Sequence, residues 1–231
     1  MGGRMTATRK FDLHCHSLFS ADSITPVEKL VERYASLGFA GFALTDHGCI
    51  GGWKKAKAHI SKKKLELEFI PACEFITERG DLIGLYLSDM PHSRDPLELI
   101  DSIHSQGGLA ILPHPFDVLR GRSAMNPDKL GKEGWKKLDG MEVLNARATK
   151  GANEKALSFA SSHSLARTGG SDAHFLFEGG KAYTQVAGGM NLAKAIRLKK
   201  TSAAGWRSPI FVHGPTTAIK WGKKLGLLPR P

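Results

Sequence analysis

Short apolar runs alternate along this chain with stretches in which apolar residues recur every third or fourth position, the signatures of buried strands and amphipathic helices. The first run, residues 10–14, predicts a strand. Thr25 and Pro26 then read as a helix cap and a first helical residue. Leu30, Val31, Tyr34 and Leu37 share one face of a helix over residues 27–37, which Gly38 stops. Strands are predicted over residues 40–45 and 67–74, with a helix over 53–63 between them. Residues 78–81 read as a turn that sends 82–87 back as an antiparallel arm. Pro96 opens a helix over 97–105, Gly107 and Gly108 close it, and residues 109–112 form the next strand. Residues 124–137 are a looser, partly helical connection. A strand over 140–144, a helix over 152–163 and strands over 165–169 and 182–187 follow. Asn191 caps a helix to residue 200, and residues 216–225 are a final amphipathic helix with Ile219 and Trp221 at apolar positions.

Strands that alternate with helices imply a parallel sheet, because each crossover must pass over one face. The number of units fits a distorted (β/α)7 barrel of the TIM-like kind better than an open doubly wound sheet. Loops at the carboxyl ends of such strands gather at one rim, where function is placed. No Gly-rich dinucleotide fingerprint and no Walker-type lysine loop follows any strand. The 231 residues carry no repeat or low-complexity linker. They are read as a flexible basic arm over residues 1–9 and a single barrel domain over 10–231, including a basic C-terminal helix.

No apolar stretch approaches the roughly 18–20 residues that span a bilayer, and the start lacks the apolar core of a secretory signal. A cytoplasmic protein without membrane partners is the expectation. Cys15, Cys49 and Cys73 cannot form an even disulfide set and read as small buried residues of a reducing compartment, with thiolate ligation the alternative. The formal charge of +11 is concentrated near residues 54–64, 194–200 and 220–230. Such runs are usually solvated helix ends, and otherwise they steer an anionic substrate.

The chemistry sits where the apolar runs end. His14 and His16 close the first strand, Asp46 and His47 the second and Glu74 the third, while His114 and the pair Asp172 and His174 close two later ones. Imidazole and carboxylate together hold borderline and hard divalent cations. Left without a cation, so many buried ionisable groups would be costly. A bridging carboxylate can set two cations roughly 3.5–4 Å apart, the separation used in two-metal hydrolysis. Cations so paired bring the pKa of a shared water towards 7 and offset charge on phosphoryl oxygens during in-line attack.

These motifs, Asp12-Leu-His-Cys-His-Ser17, Thr45-Asp-His47, the lone Glu74 after Pro71, His114-Pro115 and Ser171-Asp-Ala-His174, resemble in their order those of the PHP (polymerase and histidinol phosphatase) superfamily. The resemblance covers about residues 10–190 and extends to Glu142-Val-Leu-Asn-Ala-Arg147 and Asn153-Glu-Lys-Ala156. It implies a seven-stranded barrel of the PHP fold, two or three divalent ions (zinc, manganese or iron) and phosphoester hydrolysis. One ion would take His14, His16, Glu74 and Asp172; a second would share Glu74 and add His114 and Asp81; a third would use Asp22, His47 and His174. Many members carry histidine where Asp81 stands, which favours iron or manganese there; alternatively Asp81 is the polar tip of a turn. A metal-bridging hydroxide, with no protein nucleophile, would attack phosphorus.

Asp12 and Asp46 are expected to orient metal-bound imidazoles from behind. His59, His92, His104 and His163 read as ordinary surface or core residues, and His213 could approach the metal face. For the substrate, Arg147 either forks onto phosphate or pairs with a carboxylate. Arg120, Arg122 and Lys181 are further candidates, and Ser17 and Ser171 either bond substrate or cap turns. No Gly-x-Ser-x-Gly elbow marks a serine hydrolase. The expected partner is a nucleotide or other small phosphomonoester. A phosphodiesterase or exonuclease acting on oligonucleotides is the alternative, and a non-catalytic nucleic-acid-binding barrel, which predicts eroded ligands, a third reading.

Overall fold

The structure is a computed structural model and describes residues 8–229. Residues 1–7, most of the expected basic arm, lie outside the described residues, and the first strand already begins at Arg9. The chain runs β1 (Arg9–Cys15), α1 (Val27–Ser36), β2 (Gly41–Leu44), α2 (Trp53–Lys63), β3 (Glu68–Thr77) and β4 (Gly80–Leu85). It continues through α3 (Pro96–Ser105), β5 (Leu109–Leu112), α4 (Gly131–Lys136), β6 (Gly140–Asn145) and α5 (Lys150–Ser162). The last elements are β7 (Ala166–Gly170), β8 (Ala182–Val186), α6 (Leu192–Arg197), β9 (Thr201–Gly205) and α7 (His213–Lys224).

The strands form one sheet in the order β7-β6-β5-β4-β3-β2-β1-β8-β9, which curls into a nearly closed barrel. β1, β2 and β3 are parallel, as are β5, β6 and β7, while β4 runs antiparallel between the two groups as the expected returning arm. β8 pairs antiparallel with the start of β1, and β9 with β8. At the carboxyl end β7 meets β1 directly: Asp172 N–H donates to His14 O at 2.7 Å and His16 N–H to Ala173 O at 2.9 Å. Lower down, the Thr184 hydroxyl bridges to Gly169 in place of a ladder, accepting its N–H at 2.9 Å and donating to its carbonyl at 3.0 Å. Gly170 makes this approach possible, since a Cβ there would lie 2.4 Å from that of His14.

The parallel strands are buried on both faces, which explains their unbroken apolar runs. Inside and under the helices, Tyr34 of α1 stacks on Phe42 of β2 with ring centroids 4.8 Å apart. Its hydroxyl donates to Asp12 at 2.8 Å, so this buried phenol is satisfied. Two details depart from the sequence reading. Pro26, extended at φ −61° and ψ 140°, is itself the cap of α1, and Thr25 donates instead to His174 O at 3.2 Å. β9, of sequence Thr-Ser-Ala-Ala-Gly, has no apolar run and exists through its pairing with β8. Among the described residues, no helix is long and apolar enough to cross a membrane.

Candidate metal centre

Four strand ends and the interior of one strand deliver the clustered side chains to one rim. β1 brings His14 and His16, the end of β2 brings His47, and β3 carries Glu74 within the strand. His114 follows β5, and Asp172 and His174 follow β7. His114 and Asp172 have left-handed backbone, with φ 31° and 52°. Such a residue is uncommon outside glycine and breaks the strand sharply, which turns the side chain into the barrel mouth.

The central donors fit one cation. His14 Nε2 lies 3.1 Å from His16 Nε2, 3.3 Å from Glu74 Oε2 and 3.5 Å from Asp172 Oδ1. His16 Nε2 is 3.3 Å from the same Glu74 oxygen and 3.4 Å from Asp172 Oδ1. Donors bound at 2.0–2.2 Å around a tetrahedral ion stand roughly 3.3–3.5 Å apart. A second set joins His114 Nε2 to Glu74 Oε1 at 2.9 Å, so the Glu74 carboxylate faces both sets. In a third, Asp22 Oδ2 is 3.4 Å from both His47 Nε2 and His174 Nε2. Asp81 Oδ1 and Asp172 Oδ1 are buried without hydrogen-bond partners, which suits ligands better than a finished polar network.

Three imidazoles are fixed from behind, as ligand histidines are. His14 Nδ1 lies 3.1 Å from Glu142 Oε1, His16 Nδ1 3.1 Å from Ser20 Oγ and His174 Nδ1 2.8 Å from Asp172 O. Each therefore presents Nε2 to the cluster. Glu142 also accepts from His114 N–H and Asn145 Nδ2, both at 2.8 Å. Asn145 in turn reaches Asp172 Oδ2 at 3.0 Å. Glu142, Asn145 and Ser20 carry orienting roles that the sequence reading did not assign; a carboxylate inside the apolar run of β6 was the available signal.

Electrostatics keep Glu74, Asp172 and His16 in binding form, whereas the carboxylates around His14 and His47 outweigh burial and raise both rings in the metal-free chain. Burial pushes Glu74 and Asp172 upward, but positive neighbours (His14 and His47 for Glu74, Arg120 and His14 for Asp172) hold both well below the usual carboxylate range. Burial, with His174 and His47 nearby, brings His16 down to about 3, so its ring is neutral near pH 7. His47 opposes burial and rises to about 10 beside Glu74 and Asp22. Asp81, desolvated and repelled by Glu74, rises to about 6.

Above the cluster is a cavity of about 500 Å³ whose walls include Asp81, Arg120, Arg147 and, from α7, His213, Thr217 and Lys220. Arg120 contacts Asp172 Oδ2 and lies 3.4 Å from Asp117 Oδ2. Of the substrate candidates it alone is seated among the ligands. Arg147 is already committed: its Nε and Nη2 donate to Glu178 at 2.9 and 2.8 Å, and Nη2 to Thr216 at 2.9 Å. The salt-bridge alternative describes it. Ser17 is engaged as the turn-capping alternative describes, its N–H and hydroxyl both donating to Asp46 at 2.6 Å and its oxygen accepting from Phe19 N–H at 3.2 Å. Ser171 N–H donates to Asp12, Lys181 lies over the Phe177 ring and Arg122 is exposed.

Asp46 acts on His16 through Ser20, whose hydroxyl reaches both. Asp12 does not orient an imidazole: it accepts the backbone N–H groups of His14, Ser171 and Gly180 and so ties β1 to the end of β7. His213 faces the cavity, with Nε2 3.3 Å from Arg147 O. His59, His104 and His163 are engaged elsewhere with Glu32, Asp139 and Phe159 O, and His92 is exposed. The cysteines are free, and the Cys15 and Cys73 thiols donate to Ala43 O and Asp46 O, both at 3.2 Å.

Barrel and side-chain clusters together define a mixed α/β protein whose His, Asp and Glu groups, gathered at one rim of the barrel, could hold metal ions. Residues 12–157 match the PHP domain family and residues 150–201 the PHP-associated family. The chain belongs to the PHP domain family. It is 36% identical over 182 residues to an uncharacterized protein of Methanocaldococcus jannaschii, covering 77% of this chain and 70% of that one. It is 40% identical over 82 residues to a 5'-3' exoribonuclease of Haemophilus influenzae, covering 34% of this chain and 29% of the other. Among solved structures, it resembles a two-domain protein of Bacteroides vulgatus described as containing a PHP-like metal-dependent phosphoesterase. That likeness has a TM-score of 0.73 at 19% identity, over 92% of this chain and 70% of that one.

Proposed function

We propose that the protein is a metal-dependent phosphoesterase that hydrolyses a phosphomonoester, either a nucleotide or another small phosphorylated metabolite. One observation carries the reading: four donor atoms of His14, His16, Glu74 and Asp172, with the closest pairs 3.1–3.5 Å apart, lie beside a cavity that Arg120 and Lys220 line. His14, His16, Glu74 and Asp172 would hold one ion, Glu74, His114 and Asp81 a second, and Asp22, His47 and His174 a third. Divalent ions bound there would supply Lewis acidity towards a phosphoryl oxygen and a nucleophilic water at neutral pH.

The chain's own part is to place and neutralise charge. Glu142, Asn145 and Ser20 hold the ligand rings and Asp172 in orientation, so little reorganisation is needed as charge develops. Arg120, engaged by Asp172 and facing Asp117 at the edge of the cluster, would meet a phosphate oxygen by exchanging part of that contact. The Ser17 hydroxyl and the Cys15 and Cys73 thiols are spent on internal acceptors, which supports water as the nucleophile.

Purified protein with Mn2+ should release inorganic phosphate from nucleoside monophosphates or p-nitrophenyl phosphate. Glu74→Ala and His114→Ala should each abolish release, with the circular dichroism of the barrel retained. No turnover with any divalent metal would sink the reading. A second reading, an exonuclease trimming oligonucleotides, draws support from the similarity to the exoribonuclease and from the net charge of +11. End-labelled strands that stay intact would remove it. A purely binding role is disfavoured by the full set of donors that converge at the rim.

A further inference from the structure

A second cleft, of about 640 Å³, opens between α7 and the loop that follows β1. Leu18, Phe19, Ala21, Cys49, Gly51 and lysines of α7 line it. It adjoins the cavity over the ligand cluster, because Lys220 lines both. Ser20, which fixes the His16 ring, belongs to its wall as well. The Phe19 ring has a defined seat: Lys55 Nζ lies 5.2 Å from its centroid, and a Cβ on Gly51 would come within 2.7 Å of two ring carbons. Among the described residues no carboxylate lines the cleft, and Lys220 stands exposed beside it, while Lys224 Nζ lies 4.9 Å from the Trp221 ring centroid.

We propose that this cleft is the subsite for the nucleoside part of a phosphorylated substrate whose phosphate reaches the ligand cluster. The inference rests on the phosphoesterase reading and narrows its substrate class. Apolar side chains and lysine stems offer a bare sugar few hydrogen-bonding partners, so a sugar phosphate gains little here. A heteroaromatic base gains in two ways, by contact with an aromatic wall and by attraction between the Lys220 ammonium and its π face. The cationic rim suits an anionic ligand and disfavours a cationic one. A free nucleotide and the phosphorylated end of an oligonucleotide share this chemistry.

Cys49, half-buried in the cleft, provides a readout that needs no turnover. Cys15 and Cys73 are fully buried, and burial raises both thiols, so N-ethylmaleimide reports on Cys49. With the manganese-loaded protein, adenosine 5'-monophosphate should slow alkylation, while ribose 5-phosphate at the same concentration should not. Phe19→Ala should raise the nucleotide concentration for half-protection about tenfold. Lys220→Met, at an exposed helix position, should raise it in the same direction and stands in if the first variant misfolds. A 5'-phosphorylated tetranucleotide forms the other arm: protection by either nucleotide ligand supports the subsite, and their order tells free nucleotide from strand end. Equal alkylation with and without both ligands, or equal protection by ribose 5-phosphate, overturns it. Protection by nucleotide without phosphate release from any ester would count against hydrolysis alone.

Discussion

At the scale of single residues, the ligand candidates were legible because each stands at the end of an apolar run, and burial of His14, Glu74 or Asp172 there has no other account. Roles set by distant partners were not legible. Arg147 finds Glu178 31 residues on, and Glu142 meets His14 across 128. Asp81 gives a test at this scale. Its carboxyl rises from 3.8 to about 6 in the folded protein because burial and Glu74 disfavour its charge. The folded state therefore holds that proton more tightly than the unfolded one. The resulting stability is complete below about pH 3.8 and is lost as pH rises through 6. Asp81→Asn should stabilise the metal-stripped protein at pH 8 by up to about 3 kcal/mol, and the gain should vanish near pH 4. With manganese present the sign should reverse, because a ligand is lost. Urea midpoints at the two pH values decide it, and a gain independent of pH would refute the account.

At the scale of elements, alternation of period and caps such as Asn191 made most helices and strands readable, to within a turn at their ends. What escaped depends on pairing rather than propensity. β9 is a strand only because β8 offers it a ladder, and the start of α7 at His213 was set three residues too late. α7 also does something its amphipathic pattern did not announce. Lys223, buried at 3% exposure, donates to Leu18 O at 2.6 Å and Ser20 O at 2.7 Å. It thereby joins the C-terminal helix to the loop that carries Asp22 and fixes His16. Charge-assisted hydrogen bonds of this kind contribute about 1.5–3 kcal/mol each. Lys223→Met should lower the denaturation free energy by roughly 3–6 kcal/mol for the two bonds together and reduce the manganese bound per chain, as read by elemental analysis. Unchanged stoichiometry would show that the helix clamps the loop without shaping the site.

At the scale of the whole molecule, the barrel class followed from counting strand and helix units, whereas its closure did not, because the seam is made by Asp12, Thr184 and Gly170 rather than by any periodic pattern. Ions that bind the folded chain alone stabilise it by mass action, by about 4 kcal/mol at a thousandfold excess over the dissociation constant. For a chain of this size that corresponds to a rise of roughly 10 °C in Tm. Manganese added to protein stripped with EDTA should produce such a rise in differential scanning calorimetry, and an unmoved transition would speak against any tight site. The seam has one more effect. His14 lies in the first strand, while Asp172 and His174 follow the seventh, so the pocket is finished only when two distant stretches of chain zip together. During synthesis the imidazoles of His14 and His16 leave the ribosome early, yet two of the three proposed ligand sets stay incomplete until residues 172 and 174 have emerged. Ion capture at those two sets would thus be a late event in the birth of this molecule, reserved for chains that have already closed on themselves.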